Sequence, residues 1–144
     1  MLGHLGVNVS DLDRAKTYYA ALMPLLGFEL YRDDSDQFAY RREGGKPGTY
    51  LFFYPALQSS TFSRHQTGMQ HLAFIVPTRD VVHAVHAKVQ ELGGEVVHPP
   101  QEFPQYHHGY YATFWLEPDG MMLEAVCHRP PGGLNRQTKT AACF

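Results

Sequence analysis

Residues 69–76 have the sequence MQHLAFIV, which repeats the pattern of residues 4–9, HLGVNV. The alignment places His71 on His4 and keeps the apolar positions in step, at an offset of 67 residues. A second match, at an offset of 66 residues, relates LGFE to LGGE, residues 26–29 and 92–95. An internal repeat indicates how a chain is organised before local propensities are considered. Two copies predict one domain made of two similar units rather than a solenoid.

Composition excludes several classes of partner. The chain has 144 residues and a net charge of −2, so it offers no basic surface for nucleic acid. No apolar run approaches the roughly 20 residues of a membrane-spanning helix, and the first residues lack the features of a signal peptide. Its two cysteines, Cys127 and Cys143, do not form a disulfide framework. We therefore expect a cytoplasmic protein with a small-molecule substrate.

The first unit, residues 1–57, has the pattern of a strand, a helix and three strands. Apolar residues alternate with polar ones at the beginning, so His4 and Asn8 share the face that points away from the helix. Ser10 or Asp11 can cap the helix, and Pro24 ends it. The period-2 pattern and the intervening turn residues predict the remaining strands at residues 28–32, 37–42 and 50–54.

The second unit, residues 69–128, follows a polar linker at 58–68 and repeats this order. A strand at 69–76 leads to a helix that is capped by Thr78 and ends at Gly93. Three strands follow, at residues 95–98, 110–116 and 121–127. Residues 129–144 lack periodicity and predict a disordered tail, or an arm across a neighbouring chain. The fold class is therefore α+β, with two βαβββ units in tandem.

This organisation resembles the vicinal oxygen chelate superfamily, which includes glyoxalase I, bleomycin-resistance proteins, fosfomycin-resistance enzymes and type I extradiol dioxygenases. The resemblance rests on a histidine in the first strand of each unit, an L-G-x-E sequence after each helix and E-P-D-G-x-x-x-E at 117–124. It implies two curved sheets around an open cleft, a divalent metal and a homodimer, sometimes with ligands from both chains.

The resemblance also implies the metal ligands. Metal positions lie on the first and last strands of each unit, which gives His4, His71 and Glu124. The fourth position falls on Phe52, which does not bind a metal. Two imidazoles and one carboxylate leave open positions for water and substrate, and they suit iron(II), manganese, zinc, nickel or cobalt. A carboxylate buried among the apolar neighbours of the last strand also needs a cation as a partner.

The reaction is less specified than the fold. Phe52 breaks the four-ligand pattern of glyoxalase I, whereas extradiol dioxygenases and fosfomycin enzymes use the His, His, Glu set. The extradiol signature expects a tyrosine where this chain has Phe114, so a phenol is missing from the expected substrate site. Fosfomycin enzymes hold a phosphonate with a basic loop, but residues 104–109, PQYHHG, contain no lysine or arginine.

Aromatic side chains and two loop histidines complete the expected site. An aromatic cluster on alternate strand positions predicts binding of a planar substrate, although such residues are often only core; its members are Tyr50, Phe52, Tyr54, Tyr110 and Phe114. His107 and His108 are the candidate general acid or base, since imidazole titrates near neutrality. Asn8 is a candidate for orienting substrate.

These observations lead to three alternative functions. The leading one is a metal-dependent enzyme that chelates two neighbouring oxygens of a small substrate, with an aromatic substrate as one candidate, in dioxygenase-like chemistry. The second is a glyoxalase-like lyase or isomerase. The third is a metal-free dimer that sequesters a small molecule, as bleomycin-resistance proteins do.

Overall fold

A computed structural model describes residues 2–131 and has two helices and eight strands. The first unit contains the elements β1 (His4–Val9), α1 (Leu12–Leu22), β2 (Phe28–Asp33), β3 (Phe38–Arg42) and β4 (Tyr50–Pro55). The second unit contains β5 (Leu72–Ile75), α2 (Arg79–Glu91), β6 (Glu95–Glu102), β7 (Tyr111–Leu116) and β8 (Met122–Cys127). The predicted order of elements is confirmed in both units.

The two sheets have the same topology. Their strand orders are β1-β4-β3-β2 and β5-β8-β7-β6, which correspond element by element. In each sheet the first strand of the unit pairs in parallel with the last, and the other pairs are antiparallel. The structure thus confirms the α+β fold with two βαβββ units.

Each helix begins at a capping side chain that the sequence offers. The Asp11 carboxylate accepts a hydrogen bond from the Arg14 N–H at 2.9 Å, and Thr78 Oγ1 accepts one from the Val81 N–H at 3.3 Å. Helix α1 ends ahead of Pro24, as expected. The core face of α2 is formed by fully buried valines, Val82, Val85 and Val89.

Strand bounds differ from expectation at two places. Strand β5 begins only at Leu72, so His71 lies just ahead of it. Strand β6 continues to Glu102, past Pro99 and Pro100, where its register with β7 shifts between His98 and Gln101. Proline has no N–H to donate, so the ladder is interrupted there without ending the strand.

Polar contacts in the core and at the surface join the two units, which share one common core. The Trp115 indole N–H donates to the Tyr18 hydroxyl at 2.9 Å, inside the core. At the surface, Asp119 accepts a hydrogen bond from the Ser10 N–H at 2.9 Å, and Arg14 lies 3.1 Å from the same carboxylate. The turn at residues 117–120 of the second unit therefore lies at the beginning of helix α1 in the first.

The expected linker and tail are described only in part. Residues 58–68 contain no helix or strand. Residues 132–144, most of the expected tail, lie outside the described residues, while the Pro130 backbone lies 3.4 Å from the position that a Cβ at Gly109 would occupy. Across residues 2–131, no helix is long and apolar enough to cross a membrane.

Candidate metal and substrate site

Two predicted metal ligands of the second unit lie side by side. Glu124 is fully buried on β8, and its Oε2 lies 3.1 Å from Nε2 of His71, whose side chain is 34% exposed. Oε2 has no assigned hydrogen-bond donor among residues 2–131, and His71 Nε2 is the polar atom that faces it. A buried carboxylate oxygen without a donor is costly, so this position favours a bound cation.

The donor atoms have the chemistry of a metal site. His71 Nδ1 contacts Gln70 Oε1, an acceptor, so in the neutral ring Nδ1 carries the proton and Nε2 is available to bind a metal beside Glu124. Two lone pairs about 3 Å apart match neighbouring ligands on a divalent ion with bonds of about 2.1 Å. The residues present therefore fit a metal, with Gln70 fixing the tautomer of His71.

A phenol holds the other carboxylate oxygen. Tyr110, just ahead of β7, donates from its hydroxyl to Glu124 Oε1 at 2.5 Å. Tyr110 thus supplies, from another position, the phenol that the sequence pattern lacks at Phe114. Phe114 itself is buried beside Glu124 on the neighbouring strand, with its ring centroid 5.7 Å from that of His71.

Burial sets the electrostatics of this group. It raises the pKa of Glu124, while the bond from Tyr110 and the proximity of His71 act in the opposite direction. Burial and the adjacent carboxylate likewise raise the pKa of the Tyr110 hydroxyl. Tyr110 is therefore a neutral donor at physiological pH, and the carboxylate needs a cation to remain ionised without penalty.

The third predicted ligand lies in the other sheet. His4 is exposed on β1, where its ring lies 5.8 Å from that of Phe52 in an edge-on arrangement. Among residues 2–131, no three histidine, cysteine or carboxylate side chains converge on one point. The structure therefore brings together His71 and Glu124, but not His4, within one chain.

The predicted aromatic residues of the first unit form one surface. We call the side of the first sheet that faces away from α1 the open face. Three rings lie along β4 on this face, with centroid distances of 6.5 Å from Tyr50 to Phe52 and 6.3 Å from Phe52 to Tyr54. Asn8 lies beside Tyr54 in the strand register. These residues offer a planar ligand a row of ring faces.

A cavity of about 1110 Å³ adjoins this row but does not include the metal ligands. Asn8 and Tyr54 line it together with Leu57, at the end of the first unit, and Phe62 of the linker. His4, His71 and Glu124 are absent from its lining. The groups suited to metal chemistry, His71 and Glu124, thus lie outside the cavity, and function depends on such groups rather than on cavity size.

The loop histidines lie near Tyr110. His107 donates from Nδ1 to the His108 carbonyl oxygen at 2.9 Å, and its Nε2 lies 2.9 Å from Nδ1 of His128. The ring centroids of His107 and Tyr110 are 5.2 Å apart. Both ring nitrogens of His107 are thus engaged, and the acid or base role of His107 and His108 stays a prediction.

Sequence reasoning missed two contributors to this site. His128 follows β8, where alternation continues the face of Glu124 and Val126, so strand period could have indicated it. Gln70 precedes His71 outside any strand, and no periodic pattern singles it out.

Comparisons with known proteins agree with this architecture. The family model for the Glyoxalase/Bleomycin resistance protein/Dioxygenase superfamily matches residues 1–125. Uncharacterized protein YqjT of Bacillus subtilis (strain 168) is 24% identical over 126 residues, which cover 85% of this chain and 95% of that protein.

Solved structures show the same fold. A glyoxalase/bleomycin resistance protein from Albidiferax ferrireducens T118 has a TM-score of 0.72 and 25% identity, covering 90% of this chain and 99% of that chain. A genomically encoded fosfomycin resistance protein from Listeria monocytogenes has a TM-score of 0.62 and 17% identity, covering 88% and 92%. This chain therefore belongs to the Glyoxalase/Bleomycin resistance protein/Dioxygenase superfamily.

Proposed function

We propose that this protein is a cytoplasmic, divalent-metal-dependent enzyme that acts on a small substrate with two neighbouring oxygens, in dioxygenase-like chemistry. The observation that supports this most is the buried, unpartnered Oε2 of Glu124 beside the lone pair of His71 Nε2, within residues 2–131. Iron(II), manganese, zinc, nickel and cobalt all accept such donors.

We further propose that His4 completes the ligand set from a second chain. Within the described part of one chain, no third histidine, cysteine or acid joins His71 and Glu124, while His4 lies on an exposed face. A homodimer that places the open face of one chain against the second sheet of the other would supply the missing imidazole. Each site would then use His4 from one chain and His71 with Glu124 from the other.

The chain's own residues would perform the binding steps. A metal bound there supplies Lewis acidity towards the oxygens of the substrate. Tyr110 orients the Glu124 carboxylate, and Gln70 keeps the proton of His71 on Nδ1. The rings of Tyr50, Phe52 and Tyr54 would hold a planar substrate and exclude water from one side. Phe52 leaves at most three protein ligands, which keeps coordination positions open for substrate.

The first test is elemental analysis of tag-free protein that has been purified without chelators, with the dimer mass measured on the same sample. About one metal ion per chain, lost in both His71→Ala and Glu124→Ala, is the expected result. Iron would favour the dioxygenase function and justify an anaerobic catechol screen. Nickel, zinc or cobalt would favour the glyoxalase-like alternative.

A mixing experiment tests the arrangement between chains. Dimers made only of His4→Ala chains, or only of Glu124→Ala chains, should not bind metal. If each site is shared, a mixed dimer has one intact site, because His4 of the Glu124→Ala chain meets Glu124 of the His4→Ala chain. Refolding the two together should therefore restore about one site per mixed dimer. No restoration, with wild-type protein that binds metal, would contradict the shared site.

The metal-free binding function is the second candidate, favoured by the row of rings on the open face. This function predicts that the wild-type protein binds none of the five metals but does bind an aromatic probe such as catechol. Phe52→Ala and Tyr54→Ala should weaken that binding, while Tyr111→Ala serves as the control, because the Tyr111 ring packs against Arg79 of α2 in the second unit. Metal binding by the wild type would contradict this candidate.

A further inference from the structure

The Tyr110 hydroxyl reaches Glu124 from a loop without regular strand structure. We call residues 103–110 the covering loop, because Phe103 packs in one cluster with Phe114 and Val126 on the Glu124 face of the sheet. Backbone bonds close the loop upon itself, including one from the Phe103 N–H to the Tyr110 carbonyl oxygen at 2.9 Å. The loop is thus attached to the sheet chiefly through its side chains.

Four rings surround Tyr110 and fix its direction. Their centroids lie 5.0 to 6.2 Å from that of Tyr110, and the interplanar angles are all 61° or more; the rings are those of Phe103, Tyr106, His107 and His128. Edge-to-face contacts of this kind favour particular orientations, so each ring narrows the range of positions open to the phenol. Among these four residues, His128 is the one outside the covering loop, since it follows directly after β8.

The bond between His107 and His128 joins the covering loop to the sheet. The His108 carbonyl oxygen is an acceptor only, so His107 Nδ1 carries a proton and, in the neutral ring, Nε2 is an acceptor. His128 Nδ1 is then the donor across the 2.9 Å contact. The ring centroids are 5.0 Å apart, which means that the rings lie nearly end to end.

The electrostatics favour a neutral His128. Burial of the His128 ring and the proximity of His107 lower the pKa of His128. Both effects favour the uncharged form of His128. A neutral His128 can donate a hydrogen bond from Nδ1 to an acceptor on His107.

We propose that His128 is a positioning residue for Glu124: its hydrogen bond to His107 fastens the covering loop to the sheet and so holds the Tyr110 phenol on the carboxylate. The inference rests on the proposed function in that Glu124 is taken as a metal ligand. It adds that the orientation of this ligand depends on a residue four positions further along the chain.

Tyrosine NMR tests the positioning without any metal. In metal-free protein labelled with ¹³Cζ-tyrosine at pH 7.5, the Tyr110 signal is identified by its loss in Tyr110→Phe. His128→Ala should shift this signal towards that of an exposed tyrosine. His128→Asn should leave it in place, because the amide N–H can donate to His107 Nε2.

The neighbouring His108→Ala variant is the matched control, since it keeps the carbonyl that His107 uses. It should leave the Tyr110 signal in place. An unchanged signal in His128→Ala, or an equal shift in His108→Ala, would overturn the proposal. Thermal unfolding of each variant identifies any that fail to fold, and His128→Asn keeps the test available if His128→Ala is one of them.

Zinc titration in a double-mutant cycle provides the second readout. Residues that orient a metal ligand typically contribute about 10- to 100-fold to affinity, so we expect about a tenfold loss in Tyr110→Phe and a several-fold loss in His128→Ala. The His128→Ala change should add no further loss in a Tyr110→Phe background. Additive losses would show that His128 acts independently of Tyr110. A wild type that binds no zinc would refute the metal function while the NMR result still stands.

Discussion

Phe52 and Glu124 occupy the same position in the two units. Phe52 pairs with Gly6 in the first sheet, and Glu124 pairs with Ala73 in the second. Gly6 and Ala73 are aligned by the 67-residue offset of the repeat. An aromatic ring in one unit thus stands where the other has a carboxylate.

This equivalence leads to a prediction for Phe52→Glu. In the shared site, a fourth carboxylate would lie near the metal and should tighten zinc binding by about tenfold, or about 1.4 kcal/mol. Phe52→Leu, which adds no ligand, should leave zinc affinity within about threefold. Competition titration against a chromophoric chelator measures both. Equal affinities for the two variants would indicate that residue 52 lies away from the metal.

Gln70 should matter for metal binding although it is not a ligand. Its Oε1 contacts His71 Nδ1 and fixes the tautomer that presents Nε2 to Glu124. Gln70→Ala is expected to weaken zinc binding by about tenfold. Gln66→Ala, in the linker, is the control and should have no effect in the same titration. Similar affinities in the two variants would remove Gln70 from the site.

We expect different effects on stability when either of two adjacent tyrosines on α1, Tyr18 and Tyr19, is replaced by phenylalanine. The Tyr18 hydroxyl accepts the buried Trp115 N–H, so Tyr18→Phe leaves that donor unpaired and should cost roughly 1 to 3 kcal/mol. The Tyr19 hydroxyl is buried and has no partner among residues 2–131, so Tyr19→Phe should be neutral or stabilising. Urea denaturation gives both free energies of unfolding. Equal losses would contradict the assignment.

Glu117 predicts a pH-dependent term in stability. Burial raises its pKa above the ordinary 4.5, although the Met121 and Asp119 N–H groups act in the opposite direction. The folded state then binds this proton more tightly than the unfolded chain, so the free energy of unfolding falls as pH rises from 4.5 through the folded pKa. Glu117→Gln removes this contribution to the free energy of unfolding. The stability of the variant relative to the wild type should therefore increase as pH rises.

Glu29 is the control for this experiment, because its contribution to stability has the opposite dependence on pH. The Gly44 N–H and Arg41 lower the pKa of Glu29, so its contribution is present above 4.5 and is lost as pH falls through the folded pKa. The stability of Glu29→Gln relative to the wild type should therefore decrease as pH rises. Denaturant titrations from about pH 2.5 to pH 8 cover the range below 4.5 for Glu29 and the range above 4.5 for Glu117. Parallel curves for the two variants would show that neither term operates.

The sequence indicated the fold because its signals were periodic and repeated. The offset of 67 residues, the caps at Asp11 and Thr78 and the stop at Pro24 specified the order of elements. The path of β6 beyond Pro99 was not predictable, because pairing with β7 overrides the local effect of proline.

The sequence predicted only those residues of the candidate site that the alternating pattern of a strand identified. Alternation and the repeat singled out His71 and Glu124, which lie together in the structure. The link from Tyr110 to Glu124 depends on how the covering loop folds, and a loop without period gives no such signal. The separation of His4 from that pair depends on how two sheets are arranged, which a repeat does not encode.

The contact between Ser10 and Asp119 has a consequence for the order of folding. It joins residues 109 positions apart, and the bond between Tyr18 and Trp115 spans 97. Closing such long loops is slow, so these contacts should form late. While the chain emerges from the ribosome, helix α1 must wait for nearly the whole second unit before its first turn meets Asp119. The first unit, although it contains a complete set of strands, would therefore become stable only after most of the second unit has been synthesised.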